Sequence, residues 1–499
     1  MERSMPHNTS PAAAENSARR PARPLTLVDV VAQSVGFMGP VFSVSVLLPM
    51  LVGVTTATGN GAGGAAPLAV LLGTIGMLGI GWIVSAYARR IHTAGSLYNY
   101  VTEGLGARAG AAAGYVYYLG VLVLGAGIAV LVGGTLHDDL KTEFGFAAVP
   151  VWAWQLCLLG VLLTIVHLGV QVSVKAQLVL ALISIGVLAV FFVHVIVAVG
   201  ADNSLSAFSP ASSAQGWSGI AFSVIYGVLL FTGFEAAANL AEETAEPRRA
   251  IPRAVLISML AAAVFFLLGA YAQIAGFHFS VHAVAQNAGA PLVALASPEA
   301  FGTTWVARLV ELVILLDMFA VYIGISVSVT RGVLTMSRDG WLPKPLGRLS
   351  ARRGTPVVGT VLVGAGYLAV ILISQVLPAA VAVPGLPDHV GWFAWLSAFG
   401  VFSLAAIYLA MCLGAPRGLR DHPNKPLVWA SSLVGLVITG GALFGAVYRV
   451  PAPTIWAADA AVAVIVVALP AAFLAARRSG SASRTGTAPS PALAEAAEA

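Results

Sequence analysis

Twelve stretches of this chain are apolar for about 20 residues or more, the length of helix that crosses the hydrocarbon of a bilayer. They run at about 27–52, 66–88, 108–134, 150–168, 174–200 and 217–241, then at about 254–276, 305–330, 356–376, 390–415, 427–448 and 455–476. A soluble fold needs a polar shell around each roughly 100–200 residues. Here 58% of 499 residues are hydrophobic and 9% are charged, so the surrounding solvent is lipid. The expected fold class is an all-α membrane protein with 12 transmembrane helices, forming one domain over residues 25–476.

Orientation is read from Lys and Arg, which are retained on the cytoplasmic side during insertion. Arg89, Arg90 and Arg108, then Lys175, then Arg248, Arg249 and Arg253 occupy alternate connections, and the loop after the eighth span is the most basic. Of all the basic residues, Lys141, Arg308 and Arg449 alone fall in the other set of connections. Both termini are therefore expected in the cytoplasm and the protein in the plasma membrane. The formal charge of +5 reflects this bias and not a nucleic-acid surface. The first two dozen residues lack the short apolar core of a signal peptide, so the first apolar run is expected to be retained as a span. Residues 1–24 and 477–499, rich in Ser, Ala, Pro and Gly, are expected to be disordered tails. Cys157 and Cys412 each sit inside an apolar run and read as small buried hydrophobes. No cofactor and no metal site is expected.

Two spans carry helix-breaking sequence in their middles. The first reads VDVVAQSVGFMGPVFSVSVLLP, interrupted by Gly36, Gly39 and Pro40; the sixth reads FSVIYGVLLFTGFEAAANLAEE, interrupted by Thr232, Gly233 and Glu235. Non-helical backbone at membrane depth survives only where it is packed in protein or lines an aqueous cavity, so paired breaks point to a substrate site. The first span enters from the cytoplasm and the sixth from outside, so spans 1–5 and 6–10 can form an inverted repeat, with spans 11 and 12 peripheral. Amides near Gly39 to Phe42, at the start of the outer half of helix 1, present positive dipole to an anion such as a carboxylate. Carbonyls of Leu230, Phe231 and Thr232 can accept from an ammonium, and a zwitterion fits between the two. Gly and Pro also serve plain packing in membrane helices.

Three motifs carry a family resemblance. FTGFEAAANLAEETAEPRRAIPRA (231–254), YARRIHTAGSLYNYVTEGLG (87–106) and SRDGWLP (337–343) resemble the sixth helix and the loops after the second and eighth helices of the amino acid-polyamine-organocation (APC) superfamily. That resemblance implies an alternating-access permease of amino acids or amines with a five-plus-five inverted repeat and broken helices 1 and 6. It places the substrate against Gly36, Phe37, Met38, Gly39 and Val41 in helix 1 and against Phe231, Thr232, Gly233 and Phe234 in helix 6. Two departures stand out. The family commonly shows a Gly-x-Gly stretch in helix 1, where this chain has GFMGP; Pro40 removes one donor, which makes room for substrates without a carboxylate. Several proton-coupled relatives carry a lysine midway along helix 5, where this chain has Ser184, with Lys175 too near the cytoplasmic end to replace it.

By position, Glu235 and Asp317 are the deep charges, and each is costly there unless it serves a role. Glu235 opens the inner half of helix 6, where it can cap free amides or exchange protons. Asp317, midway along helix 8, can pair with a cationic substrate, carry a coupling proton, or bond to a scaffold helix. Ser326 and Ser328 offer hydroxyls to a sodium ion or to their own helix, so H+ or Na+ is a possible co-substrate. Phe37, Phe231, Phe234, Trp392, Phe393 and Trp395 can offer aromatic faces to an amine or simply pack. His278 and His282 have a spacing that suits zinc on a helix, but no third ligand is evident, and their loop reads as a vestibule cap. No convergent catalytic set, phosphate-binding loop or metal cluster is seen, so an enzyme is not expected. An exchanger without ion coupling and a non-transporting sensor are the alternative readings.

Overall fold

The computed structural model of the chain describes residues 24–54, 60–350, 354–382, 387–450 and 452–483. In chain order its first helices are α1 (Leu27–Met38), α2 (Pro40–Val52), α3 (Ala66–Ala88), the short α4 (Leu97–Leu105), α5 (Ala107–Phe144), α6 (Val151–Leu168), α7 (Val170–Val199) and α8 (Gly216–Leu230), the last continued by a 3-10 segment over Phe234–Glu243. They are followed by α9 (Pro247–Gly276), the short α10 (Val281–Gln286) and α11 (Pro291–Ala296), α12 (Thr304–Arg338), α13 (Val357–Val376), α14 (Asp388–Gly418), α15 (Lys425–Gly445) and α16 (Ile455–Ser483). Among them are 12 spans long and apolar enough to cross a membrane, each overlapping one of the expected stretches. The largest difference is α5, which continues as helix to Phe144, well past the apolar run that ends near residue 134. Residues 1–23 and 484–499, most of the two expected tails, lie outside the described residues; α16 itself continues past Ala476 to Ser483.

The broken first span, α1 with α2, is the hub of the bundle. α1 begins at a capping box: Thr26 Oγ1 accepts from the Asp29 amide while the Asp29 carboxylate accepts from the Thr26 amide at 2.8 Å. It is then enclosed by α7, α9, α12 and the 3-10 segment. α3 and α8 approach closely because Gly73 meets Gly227 backbone to backbone, the small-residue contact that packing in lipid favours. α15 leans on α14, α3 and α8, and α16 on α5 and α14. Leu25, two residues before α1, is stitched to the far end of the sixth span: its N–H donates to Glu243 O at 2.8 Å and Ala245 N–H donates to Leu25 O at 2.9 Å. The expectation of two buried cysteines is corrected in one case. Cys412 is buried, but Cys157 is exposed on α6, a helix with few buried positions along its apolar length.

Candidate functional site

The first-span break is one residue wide. Gly39 takes φ 54° and ψ 69°, its N–H ending α1 on Val35 O at 3.0 Å, and Pro40 restarts the chain at the first position of α2. The left-handed turn favours glycine, and a side chain there would collide with Val321 of α12. Gly36 was expected to share in the break, but it lies within α1. Its lack of a Cβ admits Gln177 of α7, whose Oε1 would stand 2.5 Å from any Cβ at that position.

The free amides of α2 are fewer than a helix start normally offers. Pro40 has none, and Ser43 N–H already donates to Gly39 O at 2.8 Å. Of the remainder, Phe42 N–H donates to Asp317 Oδ2 at 2.8 Å. The row of amides from Gly39 to Phe42 expected to receive a substrate carboxylate therefore already holds a carboxylate of the chain. Asp317 is fully buried, and among the described residues its Oδ1 has no hydrogen-bond partner and no basic side chain forms an ion pair with it.

The sixth-span break spans three residues. α8 ends at Leu230, Phe231 and Thr232 turn back on Val228 O and Leu229 O, and Gly233 takes φ 102° before the 3-10 segment begins. The Phe231 carbonyl accepts from Phe234 N–H at 3.1 Å, so it is occupied locally. The first span reaches the second break: any side chain on Gly233 would collide with the Phe37 ring of α1. Ser34, unremarked in the sequence, joins them, donating to Phe234 O at 2.8 Å and accepting from Ala237 N–H at 3.0 Å. Glu235 receives Tyr117 Oη of α5 and Tyr408 Oη of α14, one on each carboxylate oxygen at 2.9 Å. Phe37, Met38, Val41, Phe231, Gly233 and Phe234 are buried and Thr232 is half-buried.

The remaining candidates disperse. Ser326 donates to Tyr322 O at 2.7 Å and lies 3.2 Å from Tyr367 Oη of α13, whereas Ser328 accepts from Gln33 Nε2 of α1 at 3.3 Å. Two residues apart on a helix, they face opposite neighbours and do not converge on one ion. Ser184 is buried on α7 with its hydroxyl unpaired. A polar chain absent from the expected set runs beside α1: Gln33 Nε2 donates to Gly324 O at 3.0 Å, and Gln177 Nε2 to Gln33 Oε1 at 3.0 Å. Amides inside apolar runs are the signal that marks Gln33 and Gln177; Tyr117 and Tyr408 carry none. Phe393 of α14 meets Phe42 edge-on at 5.5 Å. Trp395 instead donates to Pro453 O at 3.2 Å, toward the start of α16. The loop of His278 and His282 leads through α10 and α11, both of which pack on α2.

A family model described as amino acid permease matches residues 35–449. The chain belongs to that family. Among relatives, this permease is 24% identical to the branched-chain amino acid permease BcaP of Bacillus subtilis, over 72% of its own length and 77% of the relative's. It is 25% identical to the low-affinity putrescine importer PlaP of Escherichia coli, over 75% and 80% respectively. The fold is that of a solved Eremococcus coleocola manganese transporter mutant, with a TM-score of 0.54 at 12% identity over 93% of this chain and 99% of the other. The permease thus has the five-plus-five inverted repeat with broken first and sixth helices and two further C-terminal helices.

Proposed function

We propose that the chain is a secondary-active permease of the plasma membrane, with both termini in the cytoplasm, moving an amino acid or amine by alternating access. The observation that carries this reading is that two spans are broken, at Gly39 and at Gly233, and that the Phe37 side chain of the first packs against Gly233 of the sixth. Irregular backbone in a bilayer is stable only when protein or a cavity satisfies it, and in transporters such breaks hold the solute. The solute sits between the first turn of α2 and Phe231–Phe234, and Glu235, anchored by Tyr117 and Tyr408, holds the inner half of the sixth span in register. The names of the relatives divide between a zwitterion and a diamine, which keeps both classes in the reading.

Purified protein reconstituted in liposomes tests it. Radiolabelled leucine or putrescine should accumulate inside, and repeating the assay under imposed proton or sodium gradients, or with unlabelled solute inside, identifies the coupling ion or exchange. Saturable binding with no accumulation of either solute would instead make the chain a sensor. Replacing Gly233 with Leu should reduce uptake to background while leaving membrane insertion intact, because the side chain displaces Phe37.

A further inference from the structure

A carrier of α-amino acids that uses the first-helix break must keep amides open for the substrate's carboxylate, because an anion is what a helix N-terminus attracts. This chain has reduced that capacity twice. Pro40 deletes one donor, and Asp317 Oδ2 takes the Phe42 amide at 2.8 Å from across the bundle, 275 positions along the chain. A Cβ on Gly39 would stand 3.3 Å from the same oxygen, so Asp317 lies against the break itself. A second carboxylate placed here would meet like charge at close range in a low dielectric, where repulsion is large.

The other oxygen, Asp317 Oδ1, is the decisive feature. It is buried and, among the described residues, unpartnered, on a side chain with 0% exposure. Buried polar atoms are almost always satisfied, and a buried charge is normally paired. An ammonium supplies both the missing hydrogen bond and the missing charge. Phe42, whose amide already holds Asp317, meets Phe393 edge-on, and such rings attract organic cations. We propose that Asp317 stands in for the carboxylate that an amino acid would bring, and that the solute carried is an amine cation without an α-carboxylate. The inference rests on the permease reading above and narrows its substrate class.

The test uses the full chain in liposomes with radiolabelled putrescine, butylamine and agmatine against leucine, glutamate and lysine. Uptake of at least one amine is expected, with all three amino acids near background; lysine is the informative control, being cationic but carrying an α-carboxylate. Asp317→Asn should lower amine uptake roughly tenfold to a hundredfold, the loss of one charge-assisted contact, and Asp317→Glu should restore part of it. Thermal unfolding in detergent verifies that each variant is folded, and if Asp317→Asn is not, the wild-type panel and Asp317→Glu decide the matter. Uptake of leucine or lysine with no amine uptake overturns the inference and leaves the permease reading standing. Amine uptake unchanged in folded Asp317→Asn also overturns it. No uptake of any of the six solutes by folded protein overturns both.

Discussion

Ser34 shows how a single hydroxyl makes a broken membrane helix tolerable. Where the sixth span leaves the helical ladder, Phe234 O and Ala237 N–H are satisfied by the same oxygen, as donor and acceptor in turn. Ser34→Ala removes two buried hydrogen bonds that tie α1 to the 3-10 segment, at about 0.5–1.5 kcal/mol each, and the melting temperature in detergent should fall by a few degrees; a shift within error would mean that the break is held by other contacts. Gly233→Ala combines a strained φ of 102° with a collision against Phe37. It should lower initial uptake rates at least tenfold, and wild-type rates would show that the Phe37 contact is not needed for transport. Of these residues Gly233 was legible in the sequence, because glycine in a span marks a possible break. Ser34 was not, because a serine in an apolar run usually bonds to its own helix.

α1 and the 3-10 segment of the sixth span form a paired unit, latched at the end that carries the basic loops. Arg331 of α12 pairs with Glu243, both nearly buried, and Arg338 with Glu242 at 3.0 Å. Removing one partner of a buried pair costs about 3–5 kcal/mol, most of it relieved if the unit swings away. Arg331→Gln should therefore speed maleimide labelling of Leu25→Cys, in a Cys157→Ser background, by at least tenfold; unchanged labelling would show that the pair does not hold this end shut. A second tie joins α9 to the loop after α3, Arg248 Nε donating to His92 Nε2 at 2.8 Å, which requires neutral His92. Partial burial, then the Arg248 charge, lowers the His92 pKa below its ordinary 6.5. The unfolded chain thus binds this proton more readily, so the tie is at full strength above about pH 6.5 and is lost as pH falls through the lower folded value. Hydrogen exchange in residues 89–96 should accelerate over that window, and His92→Gln should remove the dependence.

Seen across its full width, the molecule is organised by one asymmetry: basic loops on one face, and on the other the long connection through α10 and α11, packed on α2. Gly289, in that connection, has open space where a side chain would go, and Asp421, in the loop after α14, is exposed on the basic side. With the orientation proposed here, an impermeant maleimide should label Gly289→Cys in intact cells and Asp421→Cys only after permeabilisation. The reverse pattern would invert the topology.

The span count, their order, the basic loops and the positions of both breaks followed from the sequence alone, because each depends on local properties: apolar length, retained charge, and the inability of Gly and Pro to continue a helix. Gly36 was misread as part of the break for the same reason, since a glycine's local freedom does not reveal a neighbour that needs its missing Cβ. Asp317 stood out in the sequence with three roles open to it, and the contacts that bear on the choice belonged to tertiary structure. In the sequence it is a lone charge with nothing nearby to explain it; folding carries it across the bundle to the Phe42 amide and leaves its second oxygen unpaired. What a buried carboxylate does depends on which dipoles and cations surround it within a few ångströms, and that neighbourhood forms only when the helices pack.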